Sequence, residues 1–159
     1  MAAMRAHASS RSLRADPALF GVTPSPVRLS LPAHARNIAI VRRALEAIAE
    51  ELVLPRRLIE DMRLAVTEAC TNVVRHAYTE HEAGDPSAMR VELLPEEQGM
   101  RVIVEDRGRG LGPSPDASGP GLGLPLIAAL TSKLEVSHGA GERGSRVAMS
   151  FAPASIEAA

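Results

Sequence analysis

What the chain lacks already excludes several functions. It has one cysteine, Cys70, so neither an internal disulfide nor a cysteine metal cluster can form. No apolar run approaches the roughly 18 residues that a membrane-spanning helix needs, and no membrane association is expected. A formal net charge of −1 offers nothing that would draw the chain to nucleic acid or to an anionic surface. Lysine is all but missing: Lys133 stands alone among the arginines, which with the abundant alanine reads as a bias of genomic base composition. The opening "MAAMRAHASSRSLRAD" is basic and rich in Ser and Ala but has no apolar h-region. A disordered leader over residues 1–25 and a cytoplasmic location are expected.

What is present suits one soluble domain. A chain of 159 residues, 45% apolar and 23% charged, can bury a sizeable core. "VRLSLP" alternates, with Val27, Leu29 and Leu31 on one side, and predicts a half-buried strand. From His34 to Leu52, apolar residues at Ile38, Val41, Leu45, Ile48 and Leu52 predict an amphipathic helix. Pro55 breaks the chain and starts a second helix to about Tyr78, with Leu58, Met62, Ala65, Val66, Ala69 and Val73 as its core stripe. Cys70 falls on that apolar side and reads as a small core residue. Strands follow from Met89 to Leu94 and from Met100 to Asp106. A glycine- and proline-rich stretch then opens into a short helix, "LPLIAALTS". Strands from Lys133 to His138 and from Ser145 to Phe151 close the order, and residues 153–159 form a tail.

Strand parity gives the architecture. Val27, Leu29, Leu31, Val102, Val104, Leu134, Val136, Val147, Met149 and Phe151 share one phase; Arg28, Arg101, Glu105, Lys133, Glu135 and Arg146 share the other. One sheet face is apolar and one is charged, so an α+β two-layer sandwich is expected, with helices on one face of a mixed, mostly antiparallel sheet.

Three features carry chemistry. In "EACTNVVRHAYTEH", Glu68, Asn72 and His76 are spaced four apart and so line one helix face; taken alone, that stripe also fits a solvated surface. Asp106 keeps the parity of Val102 and Val104, which turns a carboxylate toward the helix layer, and Ser145 is in phase with Val147. A strand-terminal Asp capping the next loop would look the same. Gly108 and Gly110 follow at once, permitting positive φ or close backbone approach to a ligand. Gly119, Gly121 and Gly123 precede a helix, whose free N–H groups suit phosphate. This is neither a P-loop, because the lysine is absent, nor a dinucleotide fingerprint, because no βαβ unit surrounds it.

Taken together, E-x-x-x-N-x-x-x-H-A-Y at Glu68, D-x-G-x-G at Asp106, G-x-G-L-G-L at Gly119 and G-S-R at Gly144 resemble the N, G1, G2 and final boxes of the histidine-kinase-like (GHKL, Bergerat-fold) ATPases. Within them the chain is similar to the anti-sigma factor serine/threonine kinases of bacterial partner switching. The resemblance covers residues 26–152. It implies ATP and Mg²⁺, with Asn72 as the metal ligand and Glu68 as the catalytic carboxylate. It implies further that Asp106 accepts from the adenine amino group, with Gly110 beside the base and Ser145 supporting it through water. His76, Gly108, Leu111, Gly119, Gly121, Leu122, Gly123 and Leu124 complete the implied nucleotide contacts, around an ATP lid at residues 111–120. The implied partners are a sigma factor and a small STAS-type anti-anti-sigma protein that is phosphorylated, and the family's frequent homodimer is carried over.

Two departures stand out: Ser145 replaces the commoner Thr, and the lid has no Arg or Lys after Arg109. A module that holds nucleotide and sequesters its partner without phosphorylating it is the alternative. A sensor histidine kinase would need a preceding helix pair with a phosphoacceptor His, which the strand-first order does not supply. Topoisomerase- and chaperone-type relatives need longer chains.

Overall fold

The computed structural model describes residues 23–78, 83–85, 88–110, 123–139 and 143–153. Its elements are β1 (Val27–Leu31), α1 (Ala35–Glu51), α2 (Arg56–Asn72), a π-helical turn (Val73–Ala77), β2 (Met89–Glu96), β3 (Gly99–Asp106), α3 (Gly123–Leu130), β4 (Lys133–His138) and β5 (Ser145–Phe151). The strands form one sheet in the order β1-β2-β3-β5-β4. The expected mixed sheet is antiparallel at each of its four pairings. Helices α1 and α2 lie side by side on one face, and α3 packs against α2 and β4.

The register shows why parity is a sound guide. Leu29, Val91, Val104, Val147 and Val136 form one row across the inner face, and Val27, Leu93, Val102, Met149 and Leu134 form the next. With Met62, Val66 and Leu45 from the helices they make a single core. Val136 is the exception at 43% exposed, because β4 is the edge strand. On the outer face Ile103 and Ala148 are buried under charged neighbours. There Arg101 of β3 reaches across β5 to Glu135 of β4 at 2.7 Å, and Lys133, whose ammonium holds Glu135 below the usual carboxylate range, sits alongside.

Helix α1 ends in a Schellman motif, with the Val53 N–H donating to the Glu50 carbonyl and the Leu54 N–H to the Ala49 carbonyl. Glycine is the usual residue at the left-handed position of this motif; here Val53 holds φ +54. Cys70 is fully buried and its thiol is pushed up to about 12 by burial, which fits the core role read from its helical phase. Among the described residues no helix is long and apolar enough to cross a membrane.

Candidate nucleotide site

Two polar ends meet where α2 runs out over the end of β3. On the sheet side, Asp106 and Ser145 occupy the inner face, 3% and 5% exposed. The Ser145 hydroxyl donates directly to Asp106 Oδ2, and the Gly108 N–H donates to Oδ1 at 2.8 Å. A buried carboxylate is costly unless hydrogen-bonded. These two donors meet that need and leave lone pairs for a further donor, such as an exocyclic amine. Gly144, at φ +78, lets the β4–β5 turn approach: a Cβ there would lie 2.0 Å from the Asp106 carbonyl oxygen.

On the helix side, Glu68 and Asn72 stand one turn apart on α2, both half-buried. The N-terminus of α3 rests against them, since a Cβ on Gly123 would come within 2.6 Å of Glu68 Oε1 and 3.1 Å of Asn72 Nδ2. Unpaired N–H groups at a helix start suit phosphate, so a carboxylate, a carboxamide and those donors share one spot. The oxygen donors also fit Mg²⁺, which needs few protein ligands and keeps waters and phosphate oxygens for the rest. Among the described residues no cluster of three His, Cys, Asp or Glu side chains could form a protein-only cage.

His76 sits differently from its neighbours in the motif. The helix passes from α to π geometry directly after Asn72, and i→i+5 bonding puts one more residue into each hydrogen-bonded ring. His76, four residues after Asn72, lies in this turn and is exposed, whereas Glu68 and Asn72 are half-buried. Gly110 has the expected positive φ, +80. Gly108 makes its close approach to protein: a Cβ would lie 1.9 Å from the Ala77 carbonyl oxygen, the same oxygen that accepts the Arg109 N–H at 2.9 Å. Leu124 is half-buried beside the core. Leu111, Gly119, Gly121, Leu122 and the lid lie outside the described residues.

Tyr78 was not assigned a role from sequence, although it closes the H-A-Y run. Its hydroxyl donates to the Ala88 carbonyl at 2.6 Å and accepts the Arg107 N–H at 2.7 Å. Burial pushes its pKa above the usual tyrosine range, the Arg107 N–H pulls it back, and the nearby Asp106 charge raises it further.

Known proteins match this geometry. The family model described as the histidine kinase-like ATPase domain matches residues 31–151. The serine-protein kinase RsbW of Bacillus licheniformis is 34% identical over 127 residues, covering 72% of this chain and 79% of that protein. RsbW of Halalkalibacterium halodurans is 36% identical over 134 residues, covering 74% and 79%. A crystal structure of the RsbU and RsbW domains of a Mycobacterium tuberculosis protein aligns with a TM-score of 0.63 at 22% identity, over 82% of this chain and 33% of that one, so this chain spans about a third of that structure's length. The chain belongs to the histidine kinase-like ATPase family, in its RsbW serine-protein kinase branch.

Proposed function

We propose that the protein is an ATP-dependent serine/threonine protein kinase and anti-sigma factor of the RsbW type. It holds a sigma factor and phosphorylates a small STAS-type antagonist in the bacterial cytoplasm, as a homodimer. The observation that carries the reading is the pairing of a buried, hydroxyl-bound Asp106 with Glu68 and Asn72 under the N-terminus of α3. One end suits a heteroaromatic amine and the other suits a metal-bound phosphate chain, which together describe ATP.

In this reading Asp106 accepts from the adenine amino group, and Ser145 holds the carboxylate in place. Asn72 is the protein ligand for Mg²⁺, which when bound neutralises phosphate charge. The backbone donors at the start of α3 hold the phosphate end. Glu68 orients the attacking serine or threonine hydroxyl and takes its proton. The new O–P bond forms at the γ-phosphorus as the bond to the β-phosphate oxygen breaks, releasing ADP.

The test is phosphotransfer from labelled Mg²⁺-ATP to proteins of a desalted native lysate, with Glu68→Ala as control. One small protein labelled by wild type alone supports the kinase, and Glu68→Ala should lose about 10²–10⁴-fold in rate while still binding ATP. ATP binding without labelled product would favour a sequestering module. Asn72→Ala should weaken Mg²⁺-ATP in calorimetry, and unchanged affinity would remove Asn72 from the metal site.

A further inference from the structure

The strand pair beside Asp106 stops one rung early. In the β2–β3 register Met89 faces Asp106, so Ala88 and Arg107 would form the next pair. In their place the Tyr78 hydroxyl lies between the two backbones, accepting from the Arg107 N–H and donating to the Ala88 carbonyl. A hydroxyl inserted into a ladder holds the strands apart by about its own width. The diverging segment then reaches the end of the π-helical turn, where the Arg109 N–H binds the Ala77 carbonyl and Gly108 closes against the same oxygen. Ala77 is the neighbour of Tyr78 and ends the helical run that begins with α2. The contact thus joins the backbone of Asp106 to the helix that bears Glu68 and Asn72.

We propose that Tyr78 is a positioning residue of the nucleotide site: its hydroxyl replaces a ladder rung and thereby sets the distance between Asp106 at the base end and Asn72 at the metal end. This rests on the ATP-site reading above. Without the hydroxyl, the Arg107 N–H and the Ala88 carbonyl lose their shared partner and either close on each other or are bridged by a water that holds them less firmly. Either way the 107–110 segment is no longer fixed relative to Ala77. A ligand that touches only the base end feels little of this. A ligand that spans both ends cannot satisfy both at once.

That difference sets the experiment. Wild type and Tyr78→Phe, which keeps the ring and its packing, are titrated with adenosine and with Mg²⁺-ATP by calorimetry. Tyr78→Phe is expected to bind adenosine within about twofold of wild type and Mg²⁺-ATP about tenfold more weakly, the scale of one or two net hydrogen bonds. Equal loss for both ligands would mean a merely structural role and would overturn the proposal, as would no loss for either. Wild type binding neither ligand would overturn the ATP-site reading itself, a result distinct from wild-type binding that Tyr78→Phe leaves unchanged.

A second measurement needs no variant. If the segment position that Tyr78 sets is the one Mg²⁺-ATP selects, then at equal saturation Mg²⁺-ATP should slow hydrogen exchange at the Arg107 amide of wild type several-fold more than adenosine does. Unchanged exchange at that amide under saturating Mg²⁺-ATP would overturn the proposal.

Discussion

Replacing Gly108 with alanine tests the seam that holds the two halves of the site together. The added Cβ would sit 1.9 Å from the Ala77 carbonyl oxygen, 2.5 Å from its carbon and 2.9 Å from its Cα. All three are backbone atoms, so no rotamer relieves the clash, and the segment has to lift away. Lifting breaks the Arg109 N–H bond to Ala77, worth about 1 kcal/mol net, and strains the charge-assisted bond from the Gly108 N–H to Asp106, worth about 1.5–3 kcal/mol. The expected loss is about 2–4 kcal/mol, a large share of the 5–15 kcal/mol typical of a domain. With a urea m-value of about 2 kcal/mol/M, the middle of the usual range, the unfolding midpoint of the ligand-free protein should fall by about 1–2 M with m unchanged. Arg107→Ala is the control: its side chain is exposed and its N–H is retained, so the midpoint should hold. Mg²⁺-ATP affinity should fall more than tenfold in Gly108→Ala alone. A midpoint within about 0.3 M of wild type, with normal ATP affinity, would refute the claim that this contact fixes the site.

Three further outcomes are expected. Ser145→Ala removes the hydroxyl donor to the buried Asp106 and should cost about 1.5–3 kcal/mol in urea unfolding together with a weaker ATP complex, whereas Ser145→Thr should restore both. Val53 is 86% exposed at φ +54, so Val53→Gly relieves left-handed strain at the cost of unfolded-state entropy; a net gain of about 1 kcal/mol should raise the melting temperature by about 2–4 °C, seen in a thermal scan. Burial pushes the Cys70 thiol up to about 12 from its ordinary 9.0. Between those values the unfolded chain ionises and the folded one does not, so the unfolded state binds fewer protons and stability falls as pH rises. Urea midpoints measured from pH 8 upward should decline through that window for wild type and decline less for Cys70→Ala, and a native thiol that reacts rapidly with a disulfide reagent at pH 8 would contradict the burial.

Most of the fold was legible because its signals are periodic. The alternation in β4 and β5 matches Lys133–His138 and Ser145–Phe151 residue for residue, and the α2 stripe matches the buried Met62, Ala65, Val66 and Ala69. Asp106 and Ser145 were found by the same logic, since a polar residue kept in apolar phase must be buried and partnered. What escaped depends on partners distant in sequence. Nothing in "VVRHA" announces a π turn, nor that His76 is exposed where Glu68 and Asn72 are half-buried. Val136 has the phase of a core residue, but only the strand order shows that it lies on an edge strand. Gly108 was read as permitting positive φ or close approach to a ligand, and the close approach the structure shows is to Ala77.

The last of these changes how such a motif is understood. Of the two glycines in D-x-G-x-G, Gly110 has the left-handed φ and Gly108 has the steric demand, so they serve different purposes within three residues. Gly108 presses the end of β3 onto the π-helical turn, while its own N–H turns inward to Asp106. In the proposed ATP site that one residue therefore links the carboxylate of the base end to the backbone of the helix that carries the metal end. Tyr78 does the same from the other side, through Arg107. A nucleotide spanning about 10 Å needs both ends held to within a fraction of an ångström, because misplacement of either is costly in rate. In the proposed site that precision comes from the Tyr78 hydroxyl and the backbone of Ala77, Arg107, Gly108 and Arg109, so breaking any one of these contacts should impair ATP binding more than adenosine binding even though none of them touches the nucleotide.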